Sequence, residues 1–140
     1  MENAGLPIEQ TYSEHLAEAF SSWRLDTLPD DAVAMAIRDL VDMAGIGVSA
    51  RHNEYIQQLV RAWDAEGPCT AIGHGRGFDA AGAAFVNGTA THGEDFDDTL
   101  EGAPIRVGAM VIPAVLAAGQ RFNLSGERVL TGIVAGLEAV

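Results

Sequence analysis

The sequence predicts an all-α fold, a small bundle of helices, and two observations carry that prediction. Apolar residues recur at helical spacing in three stretches before residue 64 and again after residue 124. A tract of small apolar residues, AAGAAFVNGTATHG, runs from Ala80 to Gly93. One glycine-broken segment, CTAIGHGRGF, is the exception and reads as a short strand or an irregular crossing.

Taken in order, Thr11 to Arg24 is expected to form the first helix, with Leu16, Ala17, Phe20 and Trp23 as its buried face. LDTLPDD breaks it, and Pro29, Asp30 and Asp31 open the second helix. Proline's fixed φ suits a first turn, and carboxylates there complement the helix dipole. Val33, Ile37, Leu40, Val41 and Ala44 form its apolar stripe, Asp31, Arg38, Asp39 and Asp42 occupy another face, and Gly45 and Gly47 mark its decay. Tyr55, Ile56, Leu59, Val60 and Trp63 define a third helix, stopped by Gly67-Pro68. GHGRG does not fit the dinucleotide pattern GxGxxG, and no βαβ unit surrounds it. The small-residue tract suits a buried helix, because small side chains permit close packing. Val107 to Gln120 follows as an apolar helix with a kink expected at Pro113. Ser125 is a good N-cap for a last helix carrying Val129, Leu130, Ile133, Val134 and Leu137. That helix stops at GLEAV in mid-pattern, so these residues are expected to be the first part of something longer.

Composition narrows the function. A length of 140 residues suits one domain, or part of one. Net charge is −12 and every basic residue is Arg, with no basic stripe for a polyanion. Nucleic acid is therefore not an expected partner, nor is an anionic membrane surface. The longest apolar run, Val107 to Gly119, contains Pro113 and falls short of the ~20 residues that span a bilayer. The N-terminus lacks the basic and apolar regions of a secretory signal, so a cytoplasmic location is expected. A single cysteine, Cys69, excludes a disulfide framework and a multi-cysteine zinc site, and reads as a small buried hydrophobe.

HGEDFDDTLEG, residues 92 to 102, concentrates negative charge beside a histidine. Calcium fails on spacing. An EF-hand loop begun at Asp95 puts Leu100 where glycine belongs, and one begun at Asp97 puts Gly108 at the last ligand position. Asp97, Asp98 and Glu101 approach a DDxxD metal-diphosphate motif, but the basic residues and second acidic motif of such a site are not evident. A plain acidic turn capping the helix that starts near Val107 is a third reading. The fourth is proton transfer. In a helical turn Asp95 and Thr99 would project together, His92 could orient or titrate with Asp95, and crowding against Asp97, Asp98 and an apolar wall would raise the proton affinity of Asp95.

AAFVNGTATHGEDFDDT followed by GAMVIPAVLAAGQ resembles the MmgE/PrpD family, which includes 2-methylcitrate dehydratase, cis-aconitate decarboxylase and iminodisuccinate epimerase. The matching marks are Asn87-Gly88, His92, Asp95 to Thr99, Gly108-Ala109 and Pro113-Ala114. The resemblance implies the N-terminal part of a helical domain, with the remainder and an α+β lid domain beyond residue 140. It implies a lyase acting on small di- or tricarboxylates by proton transfer next to a carboxylate, with neither metal nor organic cofactor. Dehydration of the 2-methylcitrate type is the expected reaction; epimerisation, or a non-catalytic helical interaction module, is the alternative. Asp95, Thr99 and His92 are the implied catalytic residues, Arg106 and Asn87 the substrate-binding ones, and a homodimer the expected assembly. Where the family carries a histidine after DDT, Arg106 stands here. Arginine cannot act as acid or base, but it can clamp a carboxylate or simply pair with Asp97, Asp98 or Glu101. The family's catalytic lysine is not among these residues, so they are expected to be inactive alone.

Overall fold

The computed structural model describes residues 10–99 and 101–140. Six α-helices and one two-stranded hairpin make up the described fold: α1 Tyr12–Ser21, α2 Asp30–Ala50, α3 Glu54–Ala62, β1 Cys69–Thr70, β2 Gly77–Phe78, α4 Ala80–His92, α5 Gly108–Arg121 and α6 Gly126–Glu138. The all-α prediction holds, with the glycine-broken segment supplying the short strands.

Helix α1 starts in a capping box, the Thr11 hydroxyl accepting from the Glu14 amide and Glu14 accepting from the Thr11 amide at 2.7 Å. It ends earlier than expected, and none of its residues is buried. Leu16 is exposed, while Phe20 and Trp23 are half-buried and meet edge to face at 4.7 Å.

Helix α2 runs through both of its glycines, contrary to expectation, to Ala50. Its buried stripe is Ala36, Met43, Gly47 and Ala50; of the predicted Val33, Ile37, Leu40, Val41 and Ala44, Ile37 and Val41 are exposed and the other three half-buried. Small side chains decide the matter. They let α4, α5 and α6 approach closely, and that packing offsets the roughly 1 kcal/mol a helical glycine costs.

Trp63 leaves the helical conformation and ends α3 four residues before Gly67, its indole N–H donating to Asp79 at 2.9 Å. Asp79 also caps α4 by accepting from the Gly82 amide at 2.9 Å. The hairpin pairs Cys69 with Phe78 and Thr70 with Gly77 in antiparallel register. A side chain at Gly77 would collide with the Gly67 carbonyl, so the chain can close here only with glycine.

Helix α4 packs chiefly against α5 and then α2, and its Ala83 and Val86 join Ile56, Cys69 and Phe78 in a first core. Cys69 is the buried hydrophobe expected, its thiol near the Ala117 carbonyl. Pro113 lies inside α5, and Gly88 sits against the Ala109 carbonyl, where a Cβ would come to 3.1 Å. Ser125 caps α6 as predicted, and Ala36, Met43, Ile112, Ile133 and Val134 form a second core beneath it. Among the described residues no helix is long and apolar enough to cross a membrane.

The hairpin turn holds His74, whose Nε2 is buried with no hydrogen-bond partner among the described residues. Burial first, then His52 and Arg51, push its pKa below the ordinary 6.5. A histidine kept neutral by the fold, but free to protonate once unfolded, contributes stability above the unfolded pKa and loses it as pH falls below that value. Resistance to urea is therefore expected to decline as pH drops below 6.5. His74→Gln should flatten that limb; a variant with the unchanged pH dependence would remove His74 as its source.

Candidate active site

The acidic stretch forms the loop between α4 and α5. Asp95 adopts φ 60°, a left-handed conformation that aspartate tolerates better than most residues, so the chain turns sharply away from α4. This overturns the expected helical turn: Asp95 and Thr99 do not project together from one face. Both are solvent-exposed. Thr99 borders a cleft with Asp39, Asp98 and Glu138, toward α2 and α6.

The acidic side chains have separate duties. Glu94 accepts from Asn53 at 2.6 Å and from the Tyr55 hydroxyl at 2.7 Å, tying the loop to α3. Burial and that bond to Glu94 push the Tyr55 phenol up. Asp98 accepts from the Gly108 amide at 3.1 and 3.2 Å, so the capping reading is correct for this residue. Asp39, beside it on α2, has its carboxyl pushed up by burial and then by Asp98 and Asp42. Asp97 and Asp98 thus have different partners instead of converging on one ion, and among the described residues no three His, Cys, Asp or Glu side chains cluster as metal ligands.

Asp97 is the centre of the arrangement. Its side chain is 0% exposed and lies between His92 and Arg106. Nδ1 of His92 is 2.8 Å from Asp97 Oδ2. Arg106 Nη1 donates to Asp97 Oδ1 at 2.8 Å and to the Asp97 carbonyl at 2.9 Å, while Nη2 meets Asp95 at 2.7 Å. The expected partner of His92 was Asp95; the structure gives it Asp97 instead. The pairing of Arg106 with Asp97 is the structural option anticipated for that arginine. The sequence offers Asp97 as a metal ligand, a crowding neighbour and a partner of Arg106, but not as the buried centre, because a carboxylate in so polar a run carries no periodic mark of burial.

His92 and Arg106 border an open groove of about 830 Å³ between α4 and α5, floored by Ala84, Gly88 and Ala109 and flanked by Phe85 and Met110. Asn87 lies elsewhere on α4. Its amide donates to the Thr70 carbonyl at 2.9 Å and accepts from the Ile72 amide at 2.7 Å. Both ends of that side chain are therefore engaged by the hairpin, and it is 5% exposed, so the structure turns it toward the hairpin.

Residues 14–140 match the MmgE/PrpD N-terminal domain. The chain belongs to the MmgE/PrpD family. It is 27% identical over 121 residues to a cis-aconitate decarboxylase-like protein of Aspergillus oryzae, an alignment covering 79% of this chain and 25% of that protein. It is 28% identical over 127 residues to the cis-aconitate decarboxylase of Aspergillus terreus, covering 85% of this chain and 26% of the relative. This MmgE/PrpD chain thus spans about a quarter of the length of these curated relatives. No solved structure matches it.

Proposed function

We propose that this chain supplies the opening helical part of a lyase that acts on a small polycarboxylate by moving a proton next to a carboxylate. Family membership supports the reaction class. The observation that carries the site is the exposed histidine and arginine anchored on one buried carboxylate, Asp97. The names of the relatives favour decarboxylation of a cis-aconitate-like tricarboxylate over the dehydration expected from the sequence. Arg106 would receive a substrate carboxylate at Nη2, where the exposed Asp95 now sits. That exchange would release Asp95 to assist proton transfer, while Thr99 borders the separate cleft toward α2 and α6.

The test is turnover by the full-length protein of cis-aconitate and of a 2-hydroxytricarboxylate, with products identified. Release of carbon dioxide supports decarboxylation, and water loss or inversion supports the other family reactions. Failure to convert either compound would count against the reading. Asp95→Ala is expected to lower kcat/KM at least about tenfold, and unchanged kcat and KM would remove Asp95 from the site.

A further inference from the structure

The structure assigns Asp97 as the positioning residue for His92, and His92 Nε2 as a proton-transferring atom of the site; this rests on the reading under Proposed function. Asp97 is fully buried, yet both of its oxygens are engaged, one by His92 Nδ1 and one by Arg106. A buried carboxylate held by a guanidinium is an acceptor, so the neutral imidazole beside it carries its proton on Nδ1. The lone pair is then left on Nε2, at the other end of a ring whose side chain is 60% exposed and which borders the α4–α5 groove. A carboxylate whose only duty was to lock the loop would need no histidine in its shell, because Arg106 already bonds its side chain and its backbone carbonyl.

The backbone supports the same geometry. His92 is the last residue of α4, anchored through Asn87 to the hairpin. The left-handed turn at Asp95 lets the chain bring Asp97 back to the Nδ1 edge of the ring. Glu94 is held by Asn53, the N-cap of α3, and by Tyr55 within it, so the turn is pinned to that helix.

The step balances in either reaction. In dehydration, neutral His92 takes a carbon-bound proton at Nε2, leaving an imidazolium paired with ionised Asp97, and gives it to the departing hydroxide as water. In decarboxylation, the C–C bond breaks, its electron pair stays on carbon as carbon dioxide leaves, and His92, first protonated from water, delivers the Nε2 proton to that carbon. Neither Asp97 nor Arg106 changes protonation in this cycle, and no oxidant or co-reactant besides water is needed.

The full-length protein labelled with ¹⁵N-histidine tests the assignment, with the His92 resonances identified by their loss in His92→Ala. At a pH where the ring is neutral, His92 is expected in the Nδ1–H form, and Asp97→Asn should move it toward the Nε2–H form. Asp97→Asn should lower kcat about 10-fold or more and His92→Ala about 100-fold, with KM changed less than about twofold. Added imidazole should restore part of the His92→Ala rate, which a merely structural role would not allow. An Nε2–H ring in the wild-type protein overturns the proposal, as does an unchanged kcat in Asp97→Asn or no imidazole rescue. If Asp97→Asn does not fold, the wild-type tautomer and the rescue decide. If the wild-type protein converts neither cis-aconitate nor a 2-hydroxytricarboxylate, the functional reading fails and the tautomer alone decides the role of Asp97.

Discussion

Phe78→Ala is expected to destabilise the domain by about 4 kcal/mol, in the middle of the range for truncating a buried aromatic. Phe78 is among the largest fully buried side chains, at 0% exposure. It holds together a hairpin whose strands are two residues each, too short to persist on their own hydrogen bonds. Its neighbours in the first core include Ala50, Ala71, Ala83 and Ala90, and such small side chains cannot swing inward to fill the space it would leave. The guanidinium of Arg76 lies 4.3 Å from the ring centroid, so that stacking contact goes as well. Denaturant unfolding of the full-length protein measures the loss. Phe85→Ala is the control, since Phe85 is 55% exposed and should cost far less. A loss below about 1 kcal/mol for Phe78→Ala would mean that the hairpin does not depend on this residue. The consequence for function is indirect: the hairpin receives both ends of the Asn87 amide, and Asn87 lies on the helix that ends in His92.

Much of this was legible from local pattern. The helices, the caps at Ser125 and the Pro29 start follow from residue spacing and from side chains acting on their nearest neighbours. Long-range packing was not legible, and it explains each departure. The buried stripe of α2 follows alanine and glycine because three other helices press on that face, whereas its β-branched residues look the more apolar in isolation. Trp63 abandons α3 for a partner sixteen residues away. In the candidate site, His92, Asp95 and Arg106 were legible as chemistry, and Asp97 was among the partners foreseen for Arg106, but the partner of His92 was not legible. One left-handed residue, Asp95, reroutes the loop so that the buried acid is Asp97. Neither helical nor strand periodicity can announce such a turn.

Arg106→Ala is expected to cost about 3 kcal/mol, because it leaves a buried carboxylate without its cation. The value lies at the low end for a broken buried pair, since the Arg106 side chain is 25% exposed and His92 stays beside Asp97. Arg106→Lys should recover little. A single ammonium cannot reproduce the contacts that one guanidinium makes with the Asp97 carboxylate, the Asp97 carbonyl and Asp95. The deciding comparison is the pair Arg106→Ala and Asp97→Asn. If the damage comes from an orphaned buried charge, removing that charge as well should make the double variant more stable than Arg106→Ala alone, by about 1 kcal/mol or more. If Arg106 serves only to bind substrate, Arg106→Ala should raise KM and leave the unfolding midpoint where it was. Strict additivity of the two substitutions would show that Arg106 and Asp97 are not coupled, and the anchored histidine would lose its foundation. A stability loss that Asp97→Asn relieves, together with a weaker substrate affinity that it does not, would show one guanidinium working in two ways. Nη1 would hold the buried acid that positions His92, and Nη2 would exchange its exposed partner Asp95 for the carboxylate of the substrate.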